Sequence, residues 1–437
     1  VAGEGEAVML DIVSSMLNDK PLPGPVIHAP LLDPALLTSP WLDGTLDSSR
    51  WGSAALELTR GCPYRCSFCF ESKGSARLRK FPLDTVRKEL ICFSKAGVEE
   101  VFVLDPTFNA DERRMEEAIH VFREAGPGLR YMVELRAELL SAKQAKLLSS
   151  INCSVQIGLQ SSESKVLVNV NRTMVPDIFA KKVSLLDKAG VVYGLDLIYG
   201  LPGDTLAGFK RSLDFALSLG PNHLDVFRLA VLPGTELADK AEYFGLEYDT
   251  NAPYLVRATP HFSAEDLNAA EKLANAADIF YTKGRAVMWF RALMKLLGTR
   301  PSLFLSRFSN WLQTQPDVGQ APAATKTKDQ AVNKSGHSGL EKLQLSFLST
   351  WFSDSSLKGG SAVQQAALDL VRVSGAWTRA LAEGERTTLE LHWQPLDLLD
   401  FAAADIKGFA SRCASSRGTW ICEPGGNGPH FKKSKNK

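Results

Sequence analysis

Six stretches in the middle of the chain carry apolar, β-rich runs: Ala54–Leu58, Val98–Leu104, Tyr131–Leu135, Ser154–Leu159, Val191–Ile198 and Leu224–Val231. Between most of them apolar residues recur at helical spacing, over Leu83–Ala96, Arg113–Ala125, Ala142–Ser149, Ile178–Ala189 and Leu206–Leu219. A chain that keeps switching between a period near two and one near 3.6 predicts repeated βα units, hence an α/β fold with a parallel sheet covered by helices. Six such units fit a partial (β/α)6 barrel better than a doubly wound sheet.

The flanks read differently. Val1–Glu6 has the pattern of a strand running into a loop, residues 7–18 that of a short amphipathic helix, and 19–50 are rich in Pro, Leu, Asp and Ser, with Pro21-Leu22-Pro23-Gly24 as a turn signal. The first strand of a domain rarely begins at the first residue of a chain, so the expectation is a fragment whose N-terminal domain has been lost. Residues 263–312 read as helical. Residues 313–338 lack large apolar side chains and read as a flexible linker. The last segment, 339–437, carries helical patterns, one strand-like run at Thr387–Trp393, and a basic end, Lys432-Lys433-Ser434-Lys435-Asn436-Lys437, expected to be a solvated, disordered tail. The expected domains are therefore 1–50, 51–260, 261–312 as a helical extension, 313–338 as linker, and 339–437 as a small C-terminal domain of unknown role.

Length and charge narrow the class. A chain of 437 residues is more than one hydrophobic core usually serves. Its 45% apolar and 23% charged residues are those of an ordinary soluble protein, and a net charge of +1 argues against nucleic-acid binding through a broad basic field. No stretch approaches the roughly 20 apolar residues of a membrane span. Glu4, Glu6 and Asp11 without a basic n-region give no signal peptide, so the expected compartment is the cytoplasm, where thiols stay reduced. Seven cysteines, an odd number, do not suit a disulfide framework. Cys92 and Cys153 fall on apolar faces and read as core, and Cys413 and Cys422 are too few for a second cluster.

Cys62, Cys66 and Cys69 need another explanation. They lie in Leu58-Thr59-Arg60-Gly61-Cys62-Pro63-Tyr64-Arg65-Cys66-Ser67-Phe68-Cys69, directly after the first strand-like run. A loop at the C-terminal end of a strand is where such folds place their chemistry. The spacing Cys-x3-Cys-x2-Cys lets one short loop wrap a corner of a cubane and offer three thiolates to three irons. With no fourth cysteine nearby, a [4Fe–4S] cluster would keep one iron open. The competing reading is a zinc site completed by a distant His or Cys; zinc favours Cys-x2-Cys pairs, and the chain has no second pair.

This motif resembles that of the radical S-adenosylmethionine (SAM) superfamily, and the resemblance extends over roughly residues 54–260. It implies a TIM-like partial barrel and a [4Fe–4S] cluster on Cys62, Cys66 and Cys69. The open iron of that cluster chelates SAM, and one-electron reduction cleaves SAM to methionine and a 5′-deoxyadenosyl radical. A reduced flavodoxin or ferredoxin would donate the electron. Further blocks resemble the oxygen-independent coproporphyrinogen oxidases and the cobalamin-linked radical SAM class: Asp105-Pro106-Thr107, Glu134 with Arg136, Gly158-Leu159-Gln160-Ser161, Asn171-Arg172 and Asp196-Leu197-Ile198-Tyr199-Gly200-Leu201-Pro202-Gly203.

By that resemblance Gln160 and Asp196 hydrogen-bond the ribose, Arg172 pairs with the SAM carboxylate, and Glu134 stabilises the sulfonium end or the amino group. Phe68 sits beside the adenine, with Ile198 and Leu232 on its face. Family members usually bind the amino group with Gly-Gly-Glu; here that role falls to backbone carbonyls and Asp105. Each has a plainer alternative: Asp196 as a structural acceptor, Glu134 and Arg136 as partners of each other, Glu236 as part of a turn.

Gly3-Glu4-Gly5-Glu6 before a helix resembles the end of the cobalamin-binding domain that precedes many such cores, although carboxylates before a helix are favourable in any case. The Asp-x-His-x-x-Gly motif that ligates cobalamin is absent. Cobalamin is thus implied only together with the missing N-terminal domain. Two functions follow: a radical SAM enzyme, either a cobalamin-assisted methyltransferase or a catalyst of another radical reaction on a small molecule or peptide, or a non-catalytic, cluster- and SAM-binding haem chaperone related to the coproporphyrinogen oxidases. A methylthiotransferase would need cysteines for a second cluster.

Overall fold

The computed structural model describes residues 1–71, 77–315, 336–354, 360–426 and 428–434. Six strands form one parallel sheet in chain order: Ser53–Leu56 (β1), Glu100–Val103 (β2), Arg130–Leu135 (β3), Cys153–Gln160 (β4), Val192–Tyr199 (β5) and His223–Arg228 (β6). This is the partial-barrel arrangement expected from the six βα units. The helices between them are Leu83–Ala96 (α1), Glu112–Ala125 (α2), Ala142–Leu148 (α3), Pro176–Ala189 (α4) and Leu206–Ser218 (α5).

The chain divides into two compact units. The first comprises Val1–Gly158, Ser164–Tyr193 and Ala230–Val256. Its strands alternate strictly: in β4 every second residue is buried and the others are half-buried. Ala54, Leu56, Val101, Val103, Tyr131, Val133, Val155 and Ile157 form the buried series. Opposite them, Phe102 and Glu134 stay exposed. A sheet buried equally on both faces would read as continuous apolar runs; this one has a dry face and a polar, half-open face, as a barrel interior that holds a ligand requires. On the dry face Phe122 of α2 stacks on Tyr131 of β3 at 4.2 Å between ring centroids, and the Tyr131 hydroxyl donates to Gly126 O at 3.0 Å. Each such ring contributes about 1.5–3 kcal/mol by leaving water.

The N-terminal strand is reduced to one bridge, Ala2 to His28, followed by a helix at Met9–Leu17. None of that helix is buried: Met9, Leu10, Val13, Met16 and Leu17, a helical stripe, are exposed. Glu4, by contrast, is tied to Arg79 by a close ion pair, and Arg60 to Glu6 at 2.6 Å and Glu57 at 2.8 Å.

The second unit comprises Leu159–Glu163, Gly194–Leu229 and Arg257–Lys437. Its helices include Ala264–Ala277 (α6), Pro301–Gln313 (α7), Gly336–Asp354 (α8) and Gly360–Glu383 (α9). Phe280, in a π-helical turn, is ringed by Trp289, Phe290, Phe304, Phe308 and Phe347. The widened turn leaves carbonyls to satisfy, and the Gln344 amide donates to Phe280 O at 2.7 Å and Gly284 O at 3.0 Å.

The strand expected near 387 is present as Thr387–Leu391 (β7), in an antiparallel sheet with Gly418–Glu423 (β8) and His430–Lys433 (β9). This corrects the expectation of a disordered tail for Lys432 and Lys433. Phe431 stacks on Trp377 at 5.7 Å and Lys432 pairs with Glu423 at 2.6 Å, which together hold a basic segment in a sheet. Residues 435–437 of that expected tail, and 316–335 of the expected linker, lie outside the described residues. Among the described residues no helix is long and apolar enough to cross a membrane.

Candidate functional site

The cysteine loop leaves the sheet two residues after β1. Thr59–Arg60 pairs with Arg79–Lys80, and Gly61, at φ +93°, then turns the chain sharply into Cys62; that backbone region favours glycine. Cys69 N donates to Cys66 O at 3.1 Å, closing the second turn. Ser67 is hung from both sides: its N–H donates to Val170 O at 3.2 Å, and its carbonyl accepts from Leu237 N at 2.8 Å. The loop is therefore anchored where it presents its thiols.

Cys62 is buried, Cys66 and Cys69 half-buried, and all three are free thiols. Burial is the main cause that raises the Cys62 and Cys69 thiols above their ordinary value, and the neighbouring thiol charges add to it. Among the described residues no three His, Cys, Asp or Glu side chains converge on one point where a single ion could sit. Thiolates that each take a different iron of a cubane need not converge.

Two arginines border Cys66. Arg136 Nη1 donates to its Sγ at 3.8 Å, and the guanidinium lies over the Tyr64 ring at 3.9 Å from the centroid. Arg172 is 7% exposed and donates to Gly158 O at 2.7 Å. Burial, then the like charge of Arg136, draws the Arg172 guanidinium below its ordinary value. Glu138 lies 3.5 Å from Arg136 and 3.9 Å from Arg172. In this cluster Arg136 Nε, Arg172 Nε and Glu138 Oε2 are buried without a hydrogen-bond partner among the described residues. Buried polar atoms left unpaired are unfavourable, and at a concave site they mark where a polar ligand belongs. Three thiols beside two guanidinium groups fit an anionic iron–sulfur cluster with a carboxylate-bearing ligand.

The remaining candidates occupy distinct places. Asp105, 3% exposed, follows β2 and accepts from Leu58 N at 2.8 Å, Thr59 N at 3.1 Å and Thr59 Oγ1 at 2.5 Å. It commits its carboxylate to the chain itself, at the root of the cysteine loop. Burial pushes its carboxyl up to about 6 against the pull of those hydrogen bonds. Glu134 stands on the open face, where desolvation and then Glu71 raise its carboxyl. Arg136 pairs with Glu138 rather than Glu134, because β3 ends at Leu135 and the chain turns into Ala137–Leu139. Phe68 is half-buried in the loop, and Leu232 is 38% exposed at the start of the turn whose Thr235 Oγ1 donates back to Leu232 O. Glu236 accepts from Asn171 Nδ2 at 3.0 Å and pairs with Lys240.

Gln160, Asp196 and Ile198 belong to the second unit. Gln160 ends β4 at φ +65°, a region that non-glycine residues rarely adopt, and its Oε1 is buried without a partner among the described residues. A strained backbone carrying an unpaired acceptor is a signature of a ligand contact. Asp196 and Ile198 are half-buried on β5.

Residues that sequence reasoning missed are Tyr64, Glu138 and Asn109. Asn109, 2% exposed, clamps the Arg136 peptide by donating to its carbonyl at 3.0 Å and accepting its N–H at 3.0 Å. No spacing signal points to Asn109; Tyr64 and Glu138 lie beside residues that were singled out.

Comparison with known proteins adds the family. Residues 56–216 match the model described as the Radical SAM superfamily. The cobalamin-dependent radical SAM methyltransferase TokK of Streptomyces tokunonensis is 27% identical over 301 residues, 60% of this chain and 44% of that protein. The uncharacterized methyltransferase PH0819 of Pyrococcus horikoshii is 25% identical over 241 residues, 53% of this chain and 51% of that protein. The chain thus spans about half the length of the curated relatives it matches. Among solved structures, the cobalamin-dependent SAM radical enzyme OxsB superposes with a TM-score of 0.50 at 14% identity, over 80% of this chain and 63% of that one, a likeness of fold.

Proposed function

Residues 56–216 are a radical SAM domain, and on that premise we propose that the chain binds a [4Fe–4S] cluster and SAM and cleaves SAM reductively. The observation that carries the reading is the anchored loop that bears Cys62, Cys66 and Cys69, with Arg136 donating to Cys66 Sγ and the Nε atoms of Arg136 and Arg172 buried without a partner among the described residues. Cys62, Cys66 and Cys69 would each give a thiolate to one iron and leave the fourth for the amino and carboxylate groups of SAM. A cluster so held supplies one-electron cleavage of the sulfonium bond and hence radical chemistry.

The other residues bind and orient. Arg172 offers its unpaired Nε to the SAM carboxylate, a pairing that suits a guanidinium. Gln160 Oε1, unpaired and held by a strained backbone, accepts from a ribose hydroxyl, with Asp196 as the second acceptor. Glu134 neutralises the amino group or sulfonium. Phe68, Ile198 and Leu232 exclude water from the adenine. Asp105 acts from beneath, fixing Leu58 and Thr59 so that the loop above them keeps its shape. Reduced flavodoxin or ferredoxin is the proposed electron source, and the cytoplasm the proposed compartment.

The reaction served is proposed to be a cobalamin-assisted methyl transfer, on the strength of TokK, a relative whose name carries that chemistry. Residues 1–437 carry no Asp-x-His-x-x-Gly motif, so the proposal assigns no cobalamin ligand among them. The test is anaerobic reconstitution with iron and sulfide, then dithionite and SAM with and without methylcobalamin. Formation of 5′-deoxyadenosine and methionine supports the reading; a stoichiometric cluster that leaves SAM intact refutes the cleavage step.

A further inference from the structure

Arg136 has no role in the proposed SAM contacts, yet it is more firmly prepared than most side chains around it. Its peptide is clamped in both directions by the buried Asn109 amide, at 3.0 Å each way. Its guanidinium lies flat on the Tyr64 ring, 3.9 Å from the centroid, and Tyr64 stands midway between Cys62 and Cys66 in the loop. One amino group then donates to Cys66 Sγ at 3.8 Å, and the other faces Glu138 Oε1 at 3.5 Å. A side chain with many rotamers has been reduced to one orientation, and that orientation aims a permanent cation and an N–H at a single sulfur.

We propose that Arg136 is a positioning residue that sets the reduction potential of the cluster through Cys66, with Tyr64 as the platform that holds it there. The inference rests on Cys62, Cys66 and Cys69 holding a cluster. Adding an electron makes the cluster more negative, and the density gained is shared with the thiolate sulfurs. A cation and a hydrogen-bond donor on one of those sulfurs stabilise the reduced form more than the oxidised form and so raise the potential. The flat stacking explains why arginine stands here: a lysine ammonium would keep the charge but could not lie flat on Tyr64 while aiming donors on two separate nitrogens at Cys66 and Glu138. Arg172 remains available for the ligand carboxylate, so the two guanidinium groups divide the work, one toward the sulfur and one toward SAM.

The test is a redox titration of the reconstituted cluster in the full chain, followed by visible absorption and electron paramagnetic resonance, with no substrate and no turnover. Arg136→Gln should load the same iron and sulfide per chain as the parent. At the parent's midpoint its reduced-to-oxidised ratio should fall about tenfold, equivalent to about 59 mV for a one-electron couple. Arg136→Lys should fall between the two, and would replace the Gln variant in the comparison if the latter loses its cluster. Tyr64→Leu, which keeps the charge but removes the platform, should shift the potential in the same direction by less. Intact clusters with an unchanged potential in Arg136→Gln, or in Arg136→Lys where only that variant retains a cluster, would overturn the assignment. Failure of the parent itself to hold a cluster would instead overturn the reading on which it rests.

Discussion

Asp105→Ala tests whether the root of the cysteine loop is held as described. The substitution strips the acceptor from Leu58 N, Thr59 N and Thr59 Oγ1, in residues that are 1% and 6% exposed. Orphaned buried donors are unfavourable by about 1–3 kcal/mol each, or roughly 3–9 kcal/mol for the three if the hydroxyl finds no new partner. Against this, an ionised carboxylate whose value burial has raised from 3.8 to about 6 is itself unfavourable at neutral pH, by about 2–3 kcal/mol. The net loss therefore spans about 0–7 kcal/mol and centres on about 3–4 kcal/mol, concentrated at the junction between β1 and Cys62.

A chain of two units need not unfold in one step, so the assay is amide hydrogen exchange resolved to residues 54–62. At the centre of that range protection of Leu58 and Thr59 should fall about 100- to 1000-fold. Asp105→Asn keeps an acceptor for the two amides and turns its own N–H toward Thr59 Oγ1, so it should stay within about 1 kcal/mol of the parent at pH 7. The pH dependence has a definite sign. The folded chain keeps the Asp105 proton until about pH 6, whereas the unfolded chain releases it near 3.8. The contribution of this group is thus greatest below the unfolded value, declines as pH rises through the folded one, and is flat above; Asp105→Asn should lack that slope. Unchanged protection in the Ala variant, or an Asn variant as damaged as Ala, would refute the brace.

Three further predictions concern other parts of the molecule. Replacing Cys62, Cys66 and Cys69 together with Ala should abolish iron binding after reconstitution, and a stoichiometric cluster surviving in that variant would end the account of the site. Gln160→Ala should weaken SAM binding by about 1–2 kcal/mol, measured by equilibrium titration, while leaving stability almost unchanged because its Oε1 has no partner to lose among the described residues; unchanged affinity would move the ribose contact elsewhere. In the second unit, Gly375→Ala would set a Cβ 2.1 Å from Glu341 Oε2, against the buried pair that Glu341 forms with Arg379. A loss of about 2–4 kcal/mol, read by exchange across 336–383, is expected from the displaced carboxylate, and an unperturbed α8–α9 contact would contradict that packing.

Element by element, the sheet was legible because its strands announce themselves by alternation and its helices by spacing; Leu83–Ala96 has the expected ends, the other helices differ by a residue or two, and β6 stops at Arg228 rather than Val231. The third strand of the C-terminal sheet was hidden by composition. Lys432 and Lys433 read as a tail because nothing in their own sequence reveals that Phe431 meets Trp377 and that Glu423 lies across the ladder. Asp105 shows a similar limit: a carboxylate ending a strand reads as a ligand, and only the fold brings it to the amides of Leu58 and Thr59. The sequence reading ends β3 at Leu135 as the structure does, but which carboxylate the Arg136 side chain meets is decided only by the turn into Ala137–Leu139. The cysteines were legible from spacing alone, whereas Tyr64, Asn109 and Glu138 have meaning only through what they touch.

The chain-order sheet has a consequence for how the protein is made. Each of the paired strands β1 to β4 lies beside its neighbour in sequence, but each pairing, such as Ser53 with Glu100, joins residues a whole βα unit apart, so the sheet can grow only strand by strand as each unit leaves the ribosome. The loop with the three thiols emerges early, ahead of β3, β4 and the arginines at 136 and 172. Iron arriving at that moment would meet a flexible tripod with no positive charge arranged around it. A nascent chain would thus be a poor acceptor, and cluster delivery is best suited to the finished fold. Cells starved of iron–sulfur assembly should accordingly accumulate a folded, cluster-free protein rather than a truncated or misfolded one.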